Sequence, residues 1–78
     1  MGKGKEILVV KDAFFVLPER DAAMLQMAAN DWARKDIAEK FGISVRTVEA
    51  RFDMVRRQLG KKSFGAVLVE LLRQKVIK

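Results

Sequence analysis

Two short apolar runs, Ile7–Val10 and Phe14–Leu17, flank the spacer Lys11-Asp12-Ala13 near the start of the chain. Runs this rich in β-branched and aromatic residues predict a small β-hairpin or an extended arm. A hairpin of this size is marginal alone, so it must lean on the remaining residues or on a second copy. From Pro18 the apolar positions change to helical spacing. Met24, Leu25, Ala28 and Ala29 make one stripe, Pro18 suits a first helical turn, and Glu19 and Asp21 put negative charge where the helix dipole favours it. Asn30-Asp31 closes that segment. A short second helix is predicted from about Arg34 to Phe41, with Ile37, Ala38 and Phe41 as its apolar face and Gly42 as its left-handed terminator. Ser44 is a good N-cap for a third helix, in which Val48, Phe52, Val55 and Leu59 form one buried seam. Gly60 ends it. Ser63 caps a fourth helix to about Lys75, with Val67, Leu68, Leu71 and Leu72 facing inward and Val76-Ile77 behind. Residues 1–5 read as a frayed terminus, and Trp32 as core between the first two helices.

Four helices with connections this short imply an all-α, compact four-helix fold. A chain of 78 residues makes one such domain, here residues 17–78, preceded by the arm or small hairpin at 1–16. A short helix, a glycine-containing turn and a longer helix form the helix-turn-helix pattern. The inventory of side chains then narrows the chemistry. The chain contains neither cysteine nor histidine, so it lacks a thiolate nucleophile, the commonest general base and the commonest metal ligand. No metal cluster, cofactor motif or nucleophile–base pair is visible, and the chain reads as a non-enzyme. Its apolar runs are too short to span a bilayer, and nothing resembles a signal peptide, which fits a cytoplasmic protein.

Charge adds a direction. The net charge is +6, and the excess lies entirely in residues 44–78, where nine basic side chains face three acidic ones. A localised basic surface is the electrostatic footprint of a nucleic-acid binder.

The stretch "KDIAEKFGISVRTVEARF", followed by "VRRQLG" and "AVLVELLRQKVI", resembles the LuxR-type (GerE-like) helix-turn-helix domain of bacterial transcription regulators. That family pattern runs roughly E-I-A-x-x-L-G-I-S-x-x-T-V-x-x-H, then K-L-G and a final helix rich in A-V. The resemblance covers Leu17 to Ile77. It implies a four-helix fold, double-stranded DNA bound through the third helix, and dimerisation largely through the fourth. The chain departs from the pattern at Pro18, Asp21 and Asn30-Asp31, at Ala33 in place of a polar cap, at Arg51 in place of histidine, and at Gly65 in the fourth helix. The same central stretch and Arg51 also look like the fourth region of bacterial sigma factors, which reads promoter DNA. The apolar helix that follows Gly60 favours the LuxR type.

On the third helix, Arg46, Glu49, Ala50 and Asp53 rotate away from the buried seam, near the end that reaches base edges. By resemblance, Glu49, Ala50 and Asp53 match the family's base-reading positions. A carboxylate can accept from the cytosine amino group, and alanine can touch a thymine methyl. The competing reading pairs Asp53 with Arg56 or Arg57 and Glu49 with Arg46. Arg34 and Lys35 open the second helix, where backbone N–H groups favour an anion. Thr47 and Arg51 match backbone-contacting positions of the family, and Lys61 and Lys62 lie in another backbone-contacting connection. Leu68, Val69, Leu72 and Val76 are the expected homodimer surface, placing two third helices on an inverted repeat. The alternative is that the N-terminal segment covers that surface. Another regulator or RNA polymerase is a further candidate partner. The rival from a different class is an interaction module that silences another regulator by heterodimerising with it. No receiver or ligand-binding segment is recognisable, so the chain reads either as a stand-alone regulator or as the portion following a sensory domain.

Overall fold

A computed structural model describes residues 5–10 and 13–78. The terminus expected to fray falls outside these residues except for Lys5, as do Lys11 and Asp12 of the spacer. Two antiparallel strands, β1 (Lys5–Val10) and β2 (Ala13–Pro18), form a hairpin. Four helices follow: α1 (Glu19–Ala29), α2 (Arg34–Phe41), α3 (Val45–Leu59) and α4 (Phe64–Arg73). In the hairpin register Leu8 faces Phe15, while Ile7 faces Val16 and Val9 faces Phe14. Alternation sends Leu8 and Leu17 into the core and leaves Ile7, Val9, Phe14 and Val16 exposed on the other face. The hairpin leans on the helices as its marginal size requires. Leu8 joins Leu17, Met24, Leu25, Ile37, Val48, Val67, Leu71 and Ile77 in one cluster.

Each helix ends by the same backbone device. A residue at the cap or just after it adopts left-handed dihedrals, and the next N–H reaches back to a carbonyl five residues earlier. Gly42 (φ 68°) and Gly60 (φ 69°) do this for α2 and α3, with Ile43 bonding Ala38 and Lys61 bonding Arg56. Asp31 (φ 70°) and Lys75 (φ 64°) do it for α1 and α4, with Trp32 bonding Met27 and Val76 bonding Leu71. At the starts, the Ser44 and Ser63 hydroxyls accept from the N–H groups of Thr47 and Ala66. Ala33 gives α2 no side-chain cap. Pro18 stands just before α1 as its N-cap, one position earlier than a first helical turn, because it also closes β2.

Three expectations need correction. Trp32 is not core but 40% exposed. Met24, Leu25, Ile37 and Ala38 already fill the helix contacts, and the left-handed turn at Asp31 swings the link outward. Leu72 does not face inward. It is 48% exposed beside Val69 at 65%, whereas Val67 and Leu71 are fully buried and Leu68 is half-buried. Finally, α4 stops at Arg73. The chain turns back at Lys75 so that Ile77 can enter the core, and Gln26 of α1 pins Lys78 by bonds to its carbonyl (3.0 Å) and from its N–H (2.8 Å). No helix among the described residues is long and apolar enough to cross a membrane.

Candidate nucleic-acid interface

The seam of Val48, Phe52, Val55 and Leu59 is buried and fixes the rotation of α3. Everything on the opposite side is therefore presented outward. Arg46, Thr47, Glu49 and Ala50 are exposed in its first two turns, and Asp53 is half-buried. At 15 residues, α3 is about 22 Å long, enough to lie along a groove. Its first turn is capped: the Ser44 hydroxyl accepts from the Thr47 N–H at 3.0 Å and lies 3.0 Å from the Thr47 hydroxyl.

The two acids of α3 differ sharply in their surroundings. Glu49 makes no ion pair or hydrogen bond among the described residues. Asp53 is engaged by two arginines. Its Oδ1 accepts from Arg56 Nη2 (2.8 Å) and Nε (3.1 Å), and its Oδ2 lies 2.8 Å from Arg57 Nη2. The hydrogen bonds from Arg56, with the charge of Arg57 behind them, hold its carboxyl below the usual carboxylate range. Arg56 also donates to the Lys61 carbonyl at 2.9 Å, tying α3 to the turn before α4.

The cations divide in the same way. The Arg34 guanidinium lies 4.9 Å from the Phe52 ring centroid and 4.7 Å from that of Phe64, two rings that are themselves stacked. Such a contact orders a long side chain without consuming its N–H donors. Arg34 borders a concavity with Glu49, Asp53 and Arg56, so it comes to the side of α3 that carries both acids. Lys35 and Lys62 are exposed. Arg51 is held by Asp21, with Nε 3.1 Å from Oδ1. That approach lacks the alignment of a hydrogen bond, and burial pushes the Asp21 carboxyl up despite the attraction of Arg51 and Arg20. Lys61 Nζ lies 3.7 Å from Glu70. Glu70 is held down to about 2 by hydrogen bonds from Arg73 and then Gln74. Of the residues expected to meet a phosphate backbone, Arg51 and Lys61 thus already have carboxylate partners.

Arg57 stands outside the residues that the sequence leads one to expect on the base-reading face. It lies four residues after Asp53, seven after Ala50 and eleven after Arg46, so it completes the stripe opposite the seam. Counting that stripe to the end of the helix, rather than to its middle, would have found it.

The Sigma-70, region 4 family model matches residues 10–59 and stops at the end of α3. The oxygen regulatory protein NreC of Staphylococcus aureus, from strains JH9 and USA300, is 35% identical over 66 residues. That match takes in 85% of this chain, which spans about 30% of the length of those curated relatives. The solved structure of the transcription factor GerE superposes with a TM-score of 0.77 at 27% identity. It covers 80% of this chain and 92% of the GerE chain, so the likeness reaches past Leu59. The chain belongs to the family that the Sigma-70, region 4 model describes, and its fourth helix and its relatives make it a LuxR-type, GerE-like helix-turn-helix domain of the kind found in bacterial transcription regulators.

Proposed function

We propose that the chain is a sequence-specific DNA-binding transcription regulator, working in the cytoplasm, that lays α3 in the major groove. One observation carries this reading: a capped helix, rotated by its buried seam, exposes Arg46, Glu49 and Ala50 together with cations on both flanks. With no partner among the described residues, the Glu49 carboxylate is the acceptor for a cytosine amino group, and Ala50 fits a thymine methyl. Arg34, Lys35 and Lys62 grip phosphates, as does the Thr47 hydroxyl. Arg51 and Lys61 reach the backbone only by leaving Asp21 and Glu70.

A second copy docks on α4. Val69 and Leu72 are exposed there, with Leu68 and Val76 half-buried at the margin. A two-fold contact between α4 helices sets two α3 helices about 34 Å apart, one DNA turn, on an inverted repeat.

Selection of bound duplexes from a random pool tests the reading. Enrichment of a short inverted repeat is the expected result. Failure to shift any duplex at micromolar protein would favour the interaction module, a reading that the internal pairing of Arg51 and Lys61 supports. Enrichment of a single, unrepeated site would favour a promoter reader of the sigma type.

A further inference from the structure

Three linked side chains on α3 form a chain of support that ends in one exposed group. Arg56 is anchored twice, to the Lys61 carbonyl (2.9 Å) and to Asp53 (2.8 and 3.1 Å). Asp53 is thereby fixed, and its second oxygen holds Arg57 Nη2 at 2.8 Å. The Arg57 side chain is 69% exposed, against 32% for Arg56 and 44% for Asp53. The support therefore runs outward and ends on Arg57.

Position and direction agree. Arg57 continues the stripe of Arg46, Ala50 and Asp53, opposite the buried seam. Helical side chains lean toward the N-terminus, and the contact with Asp53 puts the Arg57 guanidinium one turn nearer the reading end than its own Cα. A guanidinium carries five N–H donors in a planar fork. Asp53 engages one nitrogen, which leaves a free edge for two parallel hydrogen bonds. Oδ1 of Asp53 already accepts twice and Oδ2 faces Arg57, so a cytosine amino group would have to share Asp53 with both arginines.

We propose that Arg57 reads a guanine through its O6 and N7 acceptors, and that Asp53 is the positioning residue that aims it. The inference rests on the DNA-reading function proposed above, adds Arg57 to it as a reader, and replaces the base-reading role that the resemblance implies for Asp53. A fork held in place before binding loses less rotamer freedom on contact, and arginine paired in this way to guanine is the commonest specific contact in the major groove. Were Arg57 only a phosphate grip, lysine would serve equally, because a point charge suffices there.

The test selects duplexes from a random pool with the wild-type chain, Arg57→Lys and Asp53→Ala, each checked for helicity by circular dichroism. The wild type is expected to enrich guanine at one step per half-site. Both variants should lose the preference at that same step and keep the rest of the motif. Arg57→Lys should bind the wild-type site about 10- to 100-fold more weakly. An unchanged motif in Arg57→Lys would overturn the proposal and leave Arg57 on a phosphate. Relaxation at a different step in Asp53→Ala would overturn it by making Asp53 a reader itself. If the wild type enriches no motif, the DNA-reading function fails first and takes this inference with it.

Discussion

Glu49 and Asp53 sit one helical turn apart and carry the same functional group, yet their neighbours give them different chemistry. Glu49 has no partner among the described residues, so its carboxylate is available to a ligand at the cost of repelling phosphates. Truncating it should change specificity more than affinity: Glu49→Ala is expected to lose discrimination at one base step per half-site while binding pooled DNA at least as tightly. Fluorescence anisotropy on matched and mismatched duplexes checks this, and equal penalties at every position would argue against it. The spacing of Asp53 from both arginines was legible in the sequence, but which pairs form was not, since that depends on the rotamers of Arg56 and its bond to Lys61. Glu70 sets a pH dependence. Its carboxyl titrates near 2 in the fold instead of the usual 4.5, so its contribution is complete above 4.5 and is lost as pH falls through that window. The stability gap between wild type and Glu70→Gln, read from thermal melts, should therefore close between pH 5 and about 2. A gap independent of pH would contradict the network. Asp53 shifts in the same direction as Glu70, whereas Asp21, pushed up by burial, favours the fold on protonation.

Among the elements, the hairpin depends most on contacts far away in sequence. The Gln74 side chain acts as a short strand partner for β1, accepting from the Val9 N–H at 2.8 Å and donating to its carbonyl at 2.7 Å. An open strand edge is thus partly closed by a residue at the end of α4. Glu70 steadies that amide at 2.6 Å. Gln74→Ala should speed hydrogen exchange at the Val9 amide and lower stability by about 1–2 kcal/mol. Unchanged exchange at Val9 would show that the edge is protected by other means. Helix starts and stops were largely legible, because serine caps and glycine terminators act locally. The end of α4 was not, since Ile77 is drawn inward by a core that local spacing cannot reveal. Trp32 misled for a related reason. An indole suggests burial by its area, but the space between α1 and α2 was already taken by smaller side chains.

At the scale of the whole molecule, the nine basic side chains of residues 44–78 overstate the cations free to meet DNA. Arg51, Arg56, Arg57, Lys61 and Arg73 all face carboxylates within the fold. With Arg34, Lys35 and Lys62 as the phosphate contacts, the slope of log affinity against log salt should be about −2.7 per protomer. A slope beyond about −4.5 would mean that Arg51 and Lys61 abandon their partners on binding. The basic half of the chain was legible from composition, whereas its internal neutralisation required the fold. The outer face of α3 is the surface proposed to meet DNA. Titrating isotopically labelled protein with a selected duplex, and following each backbone amide by NMR, tests it most directly. The largest shifts are expected at Arg46, Glu49, Ala50 and Arg57, with smaller ones at Lys35 and Lys62 and little change in β1 or β2. Shifts confined to α4 and the hairpin, with α3 unmoved, would contradict it.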